Sequence, residues 1–75
     1  MKIEYCESYR KLGLNINYLR RDKGIKQEML SEIIGIDSTH LSNIETGKSA
    51  PSLDVVFGIA NALDIPVYKL FEFRE

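Results

Sequence analysis

Apolar residues recur along this chain at three- and four-residue intervals, interrupted at regular distances by glycine and proline. Leu12, Ile16 and Leu19 form an i, i+4, i+7 stripe, which predicts a helix over about Glu7 to Lys23 that ends at Gly24. Leu30 and Ile34 repeat the four-residue spacing and predict a second helix from about Lys26 to Ile34, with Ile25 and Leu30 placed as a hydrophobic staple around a poor N-cap, Lys26. A third helix is expected after Asp37, a good N-cap, with Ile36 and Leu41 as its staple, Leu41 and Ile44 facing inward and Gly47 at its C-terminal stop. A fourth starts at Ser52 and places Leu53, Val56, Ile59, Ala60 and Leu63 on one face; the fifth is the short segment PVYKLFEF, with Pro66 suited to a first turn. No segment sustains the two-residue alternation of a half-buried strand. The expected fold is all-α, with five helices in one domain over residues 1–75.

The third helix is unusual in what it leaves outside. Stepping about 100° per residue from a core direction set by Leu41 and Ile44, Thr39 and Thr46 point nearly away from the core. Ser42 and Asn43 lie about 130° from it, and Ser38, His40 and Glu45 fall on the flanks. Ser, Thr, His and Asn are weaker helix formers than Glu or Lys, so solubility alone does not account for them. Short side chains that both donate and accept hydrogen bonds suit a helix lying deep in the DNA major groove, about 12 Å wide. The preceding short helix and the Gly35-Ile36 turn complete a helix-turn-helix over about residues 26–46. Ser31, four residues before Gly35, is small enough for the two helices to approach closely.

Charge adds a constraint. The net charge is −1, but residues 1–26 carry seven basic and three acidic side chains, whereas residues 27–75 carry three basic and eight acidic ones. A uniformly basic nucleic-acid binder is excluded; a local basic rim formed by Arg10, Lys11, Arg21 and Lys23 and simple solvation of these groups both fit. With 44% hydrophobic and 28% charged residues and seven aromatics, the chain has the composition of a folded soluble domain. A single cysteine, Cys6, permits no intrachain disulfide and fits a reducing cytoplasm. No signal peptide or membrane span is expected, nor a segment to bind a small-molecule effector. His40 is the only histidine and lies far from Cys6, so neither a metal site nor a cofactor is expected. A phosphate on its flank or plain solvation suits it. No phosphate-cradling glycine loop or nucleophile–base pair suggests an enzyme.

Residues 12–71, from LGLNINYLRRDKGIKQEMLSEIIGI through STHLSNIETGKSAPSLDVVFGIANALDIPVYKL, resemble the five-helix phage-repressor and Cro-like (Xre) helix-turn-helix family. Leu19-Arg20, Gln27 with Leu30, Gly35, Leu41-Ser42, Ile44-Glu45, Gly47-Lys48, Pro51-Ser52 and Ala62-Leu63 follow that family's order and spacing. The resemblance implies that Gln27 contacts a phosphate and buttresses the recognition helix, that Ser38, Thr39 and Asn43 read bases, and that Lys48 belongs to a phosphate-contacting loop. It also implies a partly buried ion bridge between Arg20 and Glu45. Lys26 and Asp37 depart from the family's small polar caps; Lys26 gains a route to a phosphate, whereas the Asp37 carboxylate opposes DNA. One lysine in the loop GKSAPS implies modest non-specific affinity.

The function expected is sequence-specific, double-stranded DNA binding by a cytoplasmic transcriptional regulator, a homodimer on an inverted repeat, acting by promoter occlusion or polymerase contact. Tyr68, Phe71 and Phe73 are the candidate dimer interface, with one aromatic or Leu70 needed to close the core. The alternative is a protein-interaction module, antitoxin-like or a co-regulator, that keeps the fold with little DNA affinity.

Overall fold

The computed structural model describes residues 2–73. Among them run α1 (Cys6–Asp22), α2 (Gln27–Ile34), α3 (Ser38–Glu45) and α4 (Leu53–Leu63), with short 3-10 helices at Ile3–Tyr5 and Val67–Phe71 and no strand. The four α-helices lie within one or two residues of their expected positions. The apolar stripes converge on one core of Leu12, Ile16, Leu30, Leu41, Ile44, Val56, Ile59, Ala60, Leu63 and Leu70. Ile25 and Ile36 pack on its margin, where the staples ahead of α2 and α3 place them.

The expected fifth α-helix is instead the 3-10 helix Val67–Phe71. Pro66 leaves only five residues in it, too few to offset the nucleation cost of an α-helix. Its carbonyls are satisfied from the side: Asn15 on α1, buried, donates Nδ2 to the Lys69 carbonyl at 2.9 Å and to the Leu70 carbonyl at 2.8 Å. Leu70 is thereby held in the core and closes it. Asn15→Ala should lower the unfolding free energy by about 1–3 kcal/mol through the unpaired carbonyls it leaves, measured by urea denaturation.

Two local expectations are corrected. Leu53 is 67% exposed, because the buried arc of α4 centres on Ile59 and Leu63 and extends towards Val55 and Ala62, leaving Leu53 on the far rim. Asp37 occupies the N-cap position of α3 with extended backbone angles, but its side chain makes no capping hydrogen bond. Its carboxylate is exposed, and the first turn is closed by the Leu41 N–H donating to the Asp37 carbonyl at 3.1 Å. Ser52, by contrast, caps α4 through its hydroxyl, which accepts from the Val55 N–H at 3.2 Å.

Where α1 crosses α3 the two backbones meet directly. A Cβ at position 13 would overlap the Ile44 carbonyl oxygen and stand 2.9 Å from the Glu45 carbonyl carbon. One turn earlier on α1, Arg10 lies against Gly47, where a Cβ would be 2.8 Å from the Arg10 Cα. Glycine at 13 and 47 is therefore what permits the C-terminal end of α3 to be seated on α1.

Candidate nucleic-acid interface

Gly35 ends α2 in the left-handed region (φ 75°), and the Ile36 N–H donates back to the Ser31 carbonyl at 3.0 Å. Ser31 is buried and returns its own hydroxyl to the Glu28 carbonyl at 2.8 Å, so this small residue adds no unpaired polar group where the helices approach. The turn then delivers the chain to α3, held from within by the fully buried Leu41 and Ile44.

The far end of α3 is held by charge. Glu45 is 4% exposed and Arg20 is 8% exposed, so the expected ion bridge is buried rather than partly buried. Arg20 donates Nε to Glu45 Oε2 at 2.7 Å and Nη2 to Oε1 at 3.1 Å, the two-pronged geometry in which a guanidinium binds a carboxylate most strongly. Its Nη1 donates to the Ile25 carbonyl at 2.8 Å, tying the α1–α2 link to the same guanidinium. Gln27 Nε2 donates to Glu45 Oε1 at 3.0 Å, which places this residue as a buttress of α3. Asn17, absent from the sequence-based site, donates Nδ2 to the same oxygen at 2.8 Å. Among the described residues no buried side-chain polar atom lacks a partner. A signal for Asn17 was present: asparagine is a weak former in a helix interior, and it stands three residues before Arg20 on the same face.

The outward face differs in kind. Thr39 is exposed, and Ser38, His40, Ser42 and Asn43 are half-buried. None of these five side chains forms a hydrogen bond with another described residue, so their polar groups face solvent or a ligand. Thr46, also exposed, directs its hydroxyl to the Ser42 carbonyl at 2.9 Å and thereby spends its proton within the helix. Past Gly47 (φ 78°) the loop curls back, with the Lys48 and Ser49 N–H groups donating to the Asn43 carbonyl at 2.8 and 3.2 Å. That bend leaves the Lys48 side chain exposed beside the end of α3, and Lys26 is exposed at the start of α2.

On α1, Arg10 pairs with Glu7. Their hydrogen bond holds the Glu7 carboxyl below its ordinary range and the Arg10 guanidinium above its own, so this member of the proposed basic rim has a carboxylate partner already. Cys6 is an exposed free thiol. Among the described residues no group of three or more His, Cys, Asp or Glu side chains could hold a metal ion, and no helix is long and apolar enough to cross a membrane.

At the C-terminal end Tyr68 is 59% and Phe71 48% exposed. Phe73 is half-buried against the core and meets the Phe71 ring at 6.5 Å between centroids. The three thus separate into two outward rings and one inward support.

Comparison with known proteins agrees with this geometry. The helix-turn-helix family HTH_3 matches residues 16–70. The chain is 36% identical over 67 residues to the ImmF control region 10 kDa protein of Bacillus phage phi105, covering 87% of this chain and 74% of that protein. It is 37% identical over 59 residues to the uncharacterized HTH-type transcriptional regulator y4dJ of Sinorhizobium fredii, covering 79% and 77% of the two chains. Among solved structures, the restriction-modification controller protein C.AhdI from Aeromonas hydrophila superposes with a TM-score of 0.84 at 34% identity, covering 87% of this chain and 98% of that one. The clp gene regulator ClgR from Corynebacterium glutamicum superposes with a TM-score of 0.81 at 26% identity, covering 83% and 66%. A four-helix frame with a clamped α2–turn–α3 unit, matched along most of its length by such regulators, places this chain in the Xre-like HTH_3 family of helix-turn-helix DNA-binding transcriptional regulators, a non-enzymatic family.

Proposed function

We propose that this protein binds a specific duplex DNA sequence as a homodimer on an inverted repeat and regulates transcription there directly, by occluding a promoter or by touching the polymerase. The observation that carries the reading is the contrast between the two faces of α3. The inner face is fixed by core packing and the buried Glu45 network, while Ser38, Thr39, His40, Ser42 and Asn43 present polar groups with no intramolecular partner among the described residues. In this reading Asn43, Ser38, Thr39 and Ser42 face base edges. Gln27, Lys26, Lys48 and His40 face the backbone, with Thr46 accepting at the edge of the groove.

Two half-sites one helical turn apart lie about 34–36 Å from centre to centre. The single domain measures 31 × 24 × 18 Å, so two copies side by side are large enough to span that distance. Tyr68 and Phe71 supply the exposed rings for that contact, with Phe73 supporting Phe71 from behind.

Selection from random duplex DNA at two salt concentrations tests this. An enriched inverted repeat with salt-sensitive affinity is expected. No enrichment at low salt would instead favour a protein-interaction module, a reading consistent with the exposed Asp37 carboxylate at the head of α3 and the single lysine of the following loop. On the selected site, Asn43→Ala should cost about 1–3 kcal/mol and relax preference at one position. Lys48→Ala should weaken all sequences alike and reduce the salt slope by about one. Equal losses across sequences for both variants would refute this division of roles.

A further inference from the structure

We infer that Asn17 is a positioning residue for DNA binding, whose role is to release the Gln27 amide from Glu45 so that it can turn to a phosphate. The inference rests on the function proposed above and concerns how one site residue becomes available.

The two oxygens of Glu45 are unequally loaded. Oε2 accepts one hydrogen bond, from Arg20 Nε at 2.7 Å. Oε1 accepts three: from Asn17 at 2.8 Å, Gln27 at 3.0 Å and Arg20 Nη2 at 3.1 Å. A carboxylate oxygen offers two lone pairs, so Oε1 has one donor more than it can bind well. Both amides must point nitrogen first, because an amide oxygen facing a carboxylate would be repelled.

Of the three donors only Gln27 belongs to the α2–turn–α3 unit; Asn17 and Arg20 stand on α1. Arg20 is buried and locked by its second contact to the Ile25 carbonyl. Asn17 projects from the middle of α1, an element that carries none of the DNA contacts proposed above. Gln27 is the first residue of α2, half-buried, beside the exposed Lys26. When a phosphate oxygen approaches, Gln27 is the donor that can leave.

Whether it leaves without penalty depends on what remains. With Asn17 present, Oε1 keeps two donors after Gln27 departs, and the buried carboxylate stays satisfied. Without Asn17, the same movement would strip Oε1 to a single donor, and an under-solvated buried carboxylate is costly. Asn17 therefore sets the strength with which the free protein holds Gln27 back.

The test uses the intact chain and four proteins: wild type, Asn17→Ala, Gln27→Ala and the double variant. Affinities are measured for the selected duplex, under conditions where denaturation shows all four folded. Asn17→Ala is expected to weaken binding about fivefold in the wild-type background and to change it less than twofold when Gln27 is already alanine. Asn17→Gln, which restores an amide donor, should recover most of the loss. A residue that merely supported the fold would cost the same in both backgrounds, and that result would overturn the inference, as would no loss in either. A second readout needs no DNA. Hydrogen exchange of the Gln27 side-chain amide, followed by NMR in the free protein, should slow in Asn17→Ala. Unchanged exchange would overturn this inference alone, whereas a wild type that binds no duplex would overturn the functional reading beneath it.

Discussion

Glu45→Ala is expected to lower the unfolding free energy by about 3–5 kcal/mol, a large share of the stability that a domain of this size possesses at about 0.05–0.15 kcal/mol per residue. The reason is what the substitution leaves behind. Arg20 is 8% exposed and would lose both prongs of its ion pair, keeping only the Ile25 carbonyl. Asn17 and Gln27 would lose the oxygen they share. A buried charge without its partner is destabilising far beyond the net worth of the intact pair. The double variant Arg20→Met/Glu45→Leu, which removes both charges and keeps apolar volume, should therefore be more stable than Glu45→Ala alone. Urea denaturation of the two variants beside wild type checks this. A loss below about 1 kcal/mol for Glu45→Ala would mean that the pair behaves as a solvated surface bridge.

Gly13→Ala carries the second large effect and the opposite of what helix propensity predicts. In an exposed helix interior alanine is favoured over glycine by about 1 kcal/mol. Here the added methyl would meet the carbonyls of Ile44 and Glu45, backbone atoms that cannot rotate aside. The helices must separate, and overpacking of this kind costs about 1–3 kcal/mol or somewhat more; the rigid partner argues for about 3 kcal/mol net. Gly58→Ala in α4 is the internal control. Its new Cβ would lie 3.4 Å from the Ile34 Cγ2, an ordinary contact with a side chain, so propensity should prevail and the variant should be neutral or up to about 1 kcal/mol more stable. Thermal unfolding of both variants decides the matter, since equal effects would deny the close crossing of α1 and α3. Because Gly13 faces the C-terminal end of α3, the helix of the proposed DNA interface, Gly13→Ala should also weaken DNA binding in the fraction that still folds.

The two variants mark the boundary between what one window of sequence carries and what it does not. The apolar spacing of Leu12, Ile16, Leu30, Leu41, Ile44, Val56, Ile59 and Leu63 is a local property, and all eight lie in the core. The polar face of α3 follows from the same 3.6-residue geometry, which is why Thr39 and Thr46 are exposed opposite Leu41 and Ile44. The family motifs paired Arg20 with Glu45 and gave Gln27 a separate role; the structure joins all three through hydrogen bonds. Leu53 shows where periodicity loses resolution: a residue at the rim of a stripe is turned in or out by where the neighbouring helices stand. Asp37 shows that a good capping residue at the right position need not spend its carboxylate on the helix.

By itself, then, the sequence determined that this protein is helical, where four helices run, which faces they bury and that the third presents a polar surface suited to a groove. Beyond the Arg20–Glu45 bridge that the family motifs imply, tertiary structure alone decided which further contacts hold these elements. Asn15 meets carbonyls 54 and 55 residues away, and Asn17 meets a carboxylate 28 residues away. Gly13 is required because a carbonyl from another helix passes where its side chain would be. Periodicity records which way a side chain points from its own helix axis. A buried polar contact depends on the angle and distance between two axes, set only when the whole core packs.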